Sequence, residues 1–506
     1  MIAAKRSSWR RRVIVIASEA ARGHGLVRKG INLIVPGVTV GFLVPYLEAS
    51  SSARWPWPLL APTIVTGLIC VIPITYLGIS KRLTLDEPLI YAMLAWFLFF
   101  FARPLYICAT NDFAFLNGIG VNPYLSTAPA EWMAALSAFM FSAGYLMTRG
   151  RSTDRASNKS WPAGTVLGLR LRKTLRILAV ISAVALIGFI YFLRQNHGAL
   201  GYGANVTVDG TTAYIYDADL LLGPVLIVLW TLYLWRKLHF IWFLGFGAPI
   251  FWILFASGSR AQLIILGVAV VLVWLRSREL QGKKVNALSL IAILVFGIVL
   301  ASWLGINRHV LTTAGFVGTP VTQWSDIWQH ILGSNGDLNI FDTWTLVFAK
   351  RQMLPREYGF ELPQIILQII PRIWWPQKPL FVSQVYMKTL LPYFYYRGTG
   401  FAGSVMADWL MNFGIPGVAA GMLGLGMLCG EVYRWSRRQV TIGSVMVYAA
   451  FVGYIVMLMR GELVGTAVWG GIYILPLLYV SARATQRPPG GSNERTPATA
   501  REVLTR

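Results

Sequence analysis

Charge is scarce in this chain. Lys, Arg, Asp and Glu make up 13% of its 506 residues while 56% are hydrophobic, against about 25% charged in an ordinary soluble domain. With a mean hydropathy of +0.56, this balance excludes a soluble multidomain protein and implies a polytopic membrane chain. Cysteine is scarcer still. Cys70, Cys108 and Cys429 are too few and too scattered for a disulfide framework or a metal cluster, so neither a metal nor a cofactor is expected. Cations are locally absent as well: residues 108–130, "CATNDFAFLNGIGVNPYLSTAPA", hold no Lys or Arg, as befits a loop on the outer side of a membrane. The formal charge of +24 would suit nucleic acid only if it formed a basic face on a folded domain. Here the cations fall between apolar runs, which excludes nucleic acid and points to membrane topology.

What is abundant is apolar sequence of spanning length. Runs of about 17–25 residues, enough to cross a hydrocarbon core of about 30 Å, lie near 31–47, 58–79, 88–107, 130–148, 175–193, 219–235, 238–256, 260–275, 286–304, 408–430, 442–459 and 464–481. Without a β-barrel pattern these must be helices, since backbone amides in lipid are satisfied within the segment. The expected fold is therefore all-α, with about 12 transmembrane helices in one domain over 31–481. A basic segment over 1–30 precedes it and a polar tail rich in Pro and Gly over 482–506 follows, read as disordered. The basic start, apolar run and "EASSSA" imitate a signal peptide. The basic region is too long for one, so the first run is expected to remain as a span. With both termini cytoplasmic, 32 of the 45 cations fall on the inside, as the short-loop charge rule requires. The longest connector, about 305–404, is then external, and a loop of that length is usually functional.

The cations left outside carry the information. Arg103, Arg194, Arg260 and Arg460 stand at four separate helix ends on the expected outer face. Arginine near hydrocarbon costs up to about 2.5–3.5 kcal/mol at a helix centre. Each alone could snorkel or pair with a neighbour such as Glu462. Together with Arg372 and Lys378, a shared anion explains them better, because a guanidinium fork matches phosphate oxygens. In "SGSRAQ" the amides that open the next helix add positive potential beside Arg260. Arg372 and Lys378 sit in "IIPRIWWPQKP", residues 369–379, where Trp374 and Trp375 suit the headgroup zone and three prolines stiffen the chain. An anion approaching from the outer half of a membrane fits a lipid diphosphate.

The stretch "IIPRIWWPQKP", after a large external loop and before "GSVMADWLMNFGIPGVAAGMLGLG", resembles the oligosaccharide repeat-unit polymerases of bacterial surface-polysaccharide assembly, the O-antigen polymerase type. The specific motifs lie within about residues 255–465; the earlier spans match only in hydropathy. The resemblance implies a metal-independent glycosyltransferase of the bacterial inner membrane. It would move a growing glycan from undecaprenyl diphosphate onto a new lipid-linked unit at the outer face. By motif position it gives an anion-binding role to Arg260, Arg372, Lys378 and Arg460, and it implies a flippase and a chain-length regulator as partners.

Such a transfer needs a base for the attacking sugar hydroxyl. His309, Asp408 and Glu462 are the leading candidates, with His330, Asp326, Asp337, Asp342, Glu357 and Glu361 also on the expected outer side. Asp408 could equally anchor a helix start, and Gly414, Pro416 and Gly417 should interrupt the helix that follows it. The alternatives are an O-antigen ligase, which would use the same anion site, and a non-enzymatic transporter of lipid-linked glycan, which should carry charges at mid-membrane. A polyprenyl-monophosphate-sugar transferase should show paired acids in its first external loop, where residues 48–57 offer only Glu48.

Overall fold

The computed structural model describes residues 57–80, 82–149, 169–195, 220–256, 260–283, 285, scattered positions between 292 and 316, 323–334, 336, 338–360, 362–367, 370, 374–396, 400–439 and 441–485. In chain order its longer helices are α1 (Trp57–Ile79), α2 (Pro88–Thr110), α3 (Pro123–Arg149), α4 (Leu171–Gln195), α5 (Leu222–Leu234), α6 (Phe240–Ala256) and α7 (Arg260–Leu280), then α8 (Trp324–Leu332), α9 (Ile340–Ala349), α10 (Val382–Leu390), α11 (Ser404–Arg438), α12 (Ile442–Arg460) and α13 (Leu463–Ala484). The extended pairings among the described residues are a two-residue ladder of Leu311–Thr312 with Gly315–Phe316 and an isolated antiparallel bridge between Leu169 and Thr485.

Among the described residues six helices, α1, α2, α4, α11, α12 and α13, are long and apolar enough to cross a membrane. That is fewer than the sequence suggests. The runs near 31–47 and 286–304 lie wholly or largely outside the described residues. Those near 219–235 and 238–256 form α5 and α6, which at 13 and 17 residues are short for a core of about 30 Å. The runs near 130–148 and 260–275 are present as α3 and α7. On α4, Val180, Val184, Ile187 and Ile190 are exposed along one face, a strip that suits lipid and would drive association in water. The helix α13 continues to Ala484, two residues beyond the expected start of the tail.

The bundle is held by close helix contacts. An ideal Cβ on Gly426 would lie 2.0 Å from the Phe141 carbonyl oxygen, and one on Gly144 2.1 Å from that of Leu423, so α3 and α11 touch backbone to backbone as small residues permit. The connector over about 305–404, expected to be external, is not simply a surface loop among its described residues. Its helix α9 is buried from Ile340 to Phe348, and Trp344 Nε1 donates to the Ala130 carbonyl of α3 at 2.9 Å. An apolar run of ten residues is too short to span a hydrocarbon core of about 30 Å, and here it is buried against the helices of the bundle.

One end of the bundle is closed by an ionic network that is buried except at Glu279. Arg149 pairs with Glu87 at 2.7 Å, Arg437 pairs with Asp86 and with Glu279 at 2.8 Å, and Arg276 pairs with Glu279 at 2.6 Å. Tyr145 adds its hydroxyl to Glu87 at 2.9 Å. Trp235 Nε1 reaches Ser277 Oγ at 3.1 Å, which ties the end of α5 to the same region. Segments that the sequence assigns to the cytoplasmic side thus meet at one end. Glu87→Ala should cost about 3–5 kcal/mol, because it leaves Arg149 charged and buried without its partner; thermal unfolding in detergent measures it.

Candidate functional site

The opposite end of the bundle lies one span away: α12 leaves the ionic network and ends at Arg460 after 19 residues, about 28 Å of helix rise. Arg103 stands at this end but is not a ligand in waiting. Its side chain is fully buried. Nε donates to Asp342 at 2.8 Å, Nη1 to Asp112 at 2.9 Å and to the Leu332 carbonyl at 2.7 Å, and Nη2 to the Asp112 carbonyl at 3.1 Å and to Asp342 at 3.2 Å. A guanidinium has five N–H groups, and all are spent inside the protein, so the expected diphosphate-binding role of Arg103 is corrected to a structural one. It pins α9 and the 332–334 turn onto α2. Asp342 is likewise consumed and drops from the candidate bases. Burial alone would raise the Asp112 carboxyl, but hydrogen bonds from Ser334 and then the Arg103 charge hold it below its ordinary range.

The expected interruption of α11 is present at Gly414, with φ 71° and ψ −160°, a conformation open almost only to glycine. The break frees carbonyls that would otherwise bond within the helix. Arg356 Nη1 takes the Leu410 carbonyl at 3.0 Å and the Glu357 amide takes that of Met411 at 3.1 Å. Asn412 Oδ1 accepts from the Gly359 amide at 2.8 Å. The 354–360 turn therefore plugs into the kink. Gly414→Ala should destabilise by about 1–3 kcal/mol from backbone strain alone. A Cβ there would also lie 2.8 Å from Arg356 Nη1, and the loss is measurable as a lowered melting temperature.

Just before the kink stands Asp408, fully buried. Its Oδ2 accepts from the amide of Leu463, so α11 caps the first turn of α13 from outside. The anchoring role weighed for Asp408 is thus observed, though the helix it anchors is α13. One residue before Leu463 is Glu462, half-buried, whose Oε2 accepts from the Ser383 amide at 2.9 Å. Burial pushes the Glu462 carboxyl above the ordinary glutamate range, against the opposing pull of its hydrogen bonds to Ser383. Tyr386 lies within electrostatic reach of both acids; burial first, then Glu462 and Asp408, raise its hydroxyl well above the tyrosine range. Arg460 is two residues from Glu462 at the end of α12.

The ends of three helices therefore bring Asp408 beside the Glu462–Leu463 turn, with Arg460 two residues earlier in the chain. Lys378 lies on the segment that leads into Ser383. Its ammonium is buried and donates to the Ile370 carbonyl at 3.0 Å, closing the proline-rich stretch on itself, while Trp374 is 80% exposed. Arg260 opens α7, with its side chain outside the described atoms; His309 and Arg372 lie outside the described residues. Arg356 went unnoticed in the sequence, although it repeats the Pro-Arg pairing of Pro371 and Arg372 at Pro355 and Arg356.

Along α11 runs an apolar groove of about 680 Å³, lined mainly by Trp409, Phe413, Gly417, Gly421, Gly424 and Leu428. Leu463, beside Glu462, completes its upper wall. The ring of Trp409 lies over Gly421 across the kink, which shows how sharply the two arms of α11 fold. No protein-family model, curated protein or solved structure matches the chain.

Proposed function

We propose that this membrane protein polymerises oligosaccharide repeat units carried on undecaprenyl diphosphate, with Glu462 as the base. The observation that carries the proposal is the meeting of Asp408, Glu462 and Arg460 at one end of the bundle, beside an apolar groove open to lipid. It agrees with the resemblance of "IIPRIWWPQKP" and "NFGIPG" to repeat-unit polymerases. The chemistry is a displacement at a sugar carbon. An acceptor hydroxyl oxygen forms a bond to the anomeric carbon of the growing glycan, the bond from that carbon to the diphosphate breaks, and the hydroxyl proton passes to the Glu462 carboxylate. Charge that grows on the departing diphosphate is stabilised by nearby cations, the role assigned to Arg460 and, from the motif, to Arg260 and Arg372. Asp408 holds Leu463, and so positions Glu462.

The test is the size profile of lipid-linked and surface glycan after deletion of the gene. Accumulation of single repeat units with loss of long chains supports polymerisation. Long chains that persist on the lipid carrier and never reach their final acceptor would instead make the protein a ligase.

A further inference from the structure

We infer that the groove along α11 holds the polyprenyl chain of the lipid carrier and that Arg356 holds its diphosphate at the groove's mouth; this rests on the lipid-linked substrate proposed above. Three features of the groove point to that occupant. First, its walls are apolar and its rim faces outward: Phe413 and Leu428 are 47% and 48% exposed, so a hydrocarbon chain can enter sideways from the bilayer. Second, its floor is small and open at Ala420 and Gly424, where an ideal Cβ on Gly424 meets nothing within 4 Å, while Phe413 and Trp409 close over Gly417 and Gly421 and form the walls. Third, it is long. From Pro416 to Leu428 the helix rises about 18 Å, more than half the thickness of a hydrocarbon core of about 30 Å. An acyl chain confined to one leaflet would leave the lower part unfilled, whereas a polyprenyl chain fills it.

The mouth supplies the complementary charge. Arg356, part of the 354–360 turn, is exposed and lies against the kink at Gly414, one residue along the chain from the groove wall at Phe413. Its Nη1 is oriented by the Leu410 carbonyl at 3.0 Å, so the guanidinium is held in place with its fork available to a doubly charged diphosphate. Leu463 is shared between the groove and the Asp408 contact, which places the headgroup end of the chain beside Glu462. The lipid carrier would thereby be set with its sugar phosphate bond near the base.

Two glycines make a clean test. An ideal Cβ meets nothing within 4 Å at either Gly424, on the groove floor, or Gly267, on the outward side of α7. Leucine at Gly424 starts from open space and extends into the groove, and leucine at Gly267 is the matched control. Binding of undecaprenyl diphosphate to the purified full-length protein is titrated by native mass spectrometry, with dioleoyl phosphatidylglycerol as the second probe. Gly424→Leu and Arg356→Gln should each weaken undecaprenyl diphosphate binding about tenfold or more, and Gly267→Leu should bind as the unaltered protein does. Equal binding by all four proteins would overturn the inference. So would a Gly424→Leu protein that loses phosphatidylglycerol but keeps undecaprenyl diphosphate. Because no glycan is present, binding lost as expected in a protein that elongates nothing would uphold the groove while removing the polymerase proposal.

Discussion

Replacing Glu462 with glutamine should reduce chain growth by about 100-fold or more, within the range that a positioned base contributes, while the protein still folds. Glutamine keeps an oxygen for the Ser383 amide, so the local geometry survives and only the proton acceptor is removed. The lengths of lipid-linked glycan in a deletion strain restored with each variant give the measurement, alongside the amount of protein in the membrane. Asp408→Asn should be milder, because the amide oxygen still caps Leu463; a dead Asp408→Asn beside an active Glu462→Gln would reverse the assignment. The pH profile adds a second readout. A base works ionised, and burial raises Glu462 above its ordinary value of 4.5. Activity should fall as pH drops through that raised value, and the acid limb should vanish from the residual activity of Glu462→Gln.

Arg103→Met should unfold much of the protein. Asp342 is fully buried against Arg103, and removing the cation leaves an uncompensated charge, at a cost of about 3–5 kcal/mol. Arg103→Lys should fail to rescue it, since an ammonium has three donors where the site uses five. Replacing the buried pair together, Arg103→Met with Asp342→Leu, should recover part of the loss because no unpaired charge then remains at that position. Unfolding in detergent, followed by melting temperature and by the yield of monodisperse protein, distinguishes these outcomes. A stable Arg103→Met protein that lost only glycan elongation would restore Arg103 to the substrate and refute its structural role.

Much of this architecture is legible in the chain because bilayer thickness imposes a length on apolar runs. The helices through 58–79, 88–107, 442–459 and 464–481 stand close to where hydropathy puts them. The break at Gly414 is partly legible too, since glycine admits the conformation and Pro416 removes a helix hydrogen bond; the same spacing at Gly247 and Pro249 lies within α6, so the pair permits a break without forcing one. Hydropathy does not say which cations face one another. Arg103 looked like an outer-face anion ligand because its partner Asp342 is 239 residues away, on a helix whose ten residues carry no spanning signal. Arg356 was hidden for the converse reason: it matters only because a separate helix kinks against it. In the sequence Asp408 reads as either an anchor or a base, and its partner Leu463 emerges only from the fold.

The central claim is that this chain itself joins lipid-linked repeat units. The direct measurement incubates the purified full-length protein in lipid with repeat units on undecaprenyl diphosphate, extracted from the deletion strain, and without any nucleotide sugar. The account predicts a ladder of longer lipid-linked glycans, one undecaprenyl diphosphate released for each new linkage, and no ladder with Glu462→Gln. Repeat units that remain single with the unaltered, folded protein, or a ladder of equal strength from Glu462→Gln, would contradict it.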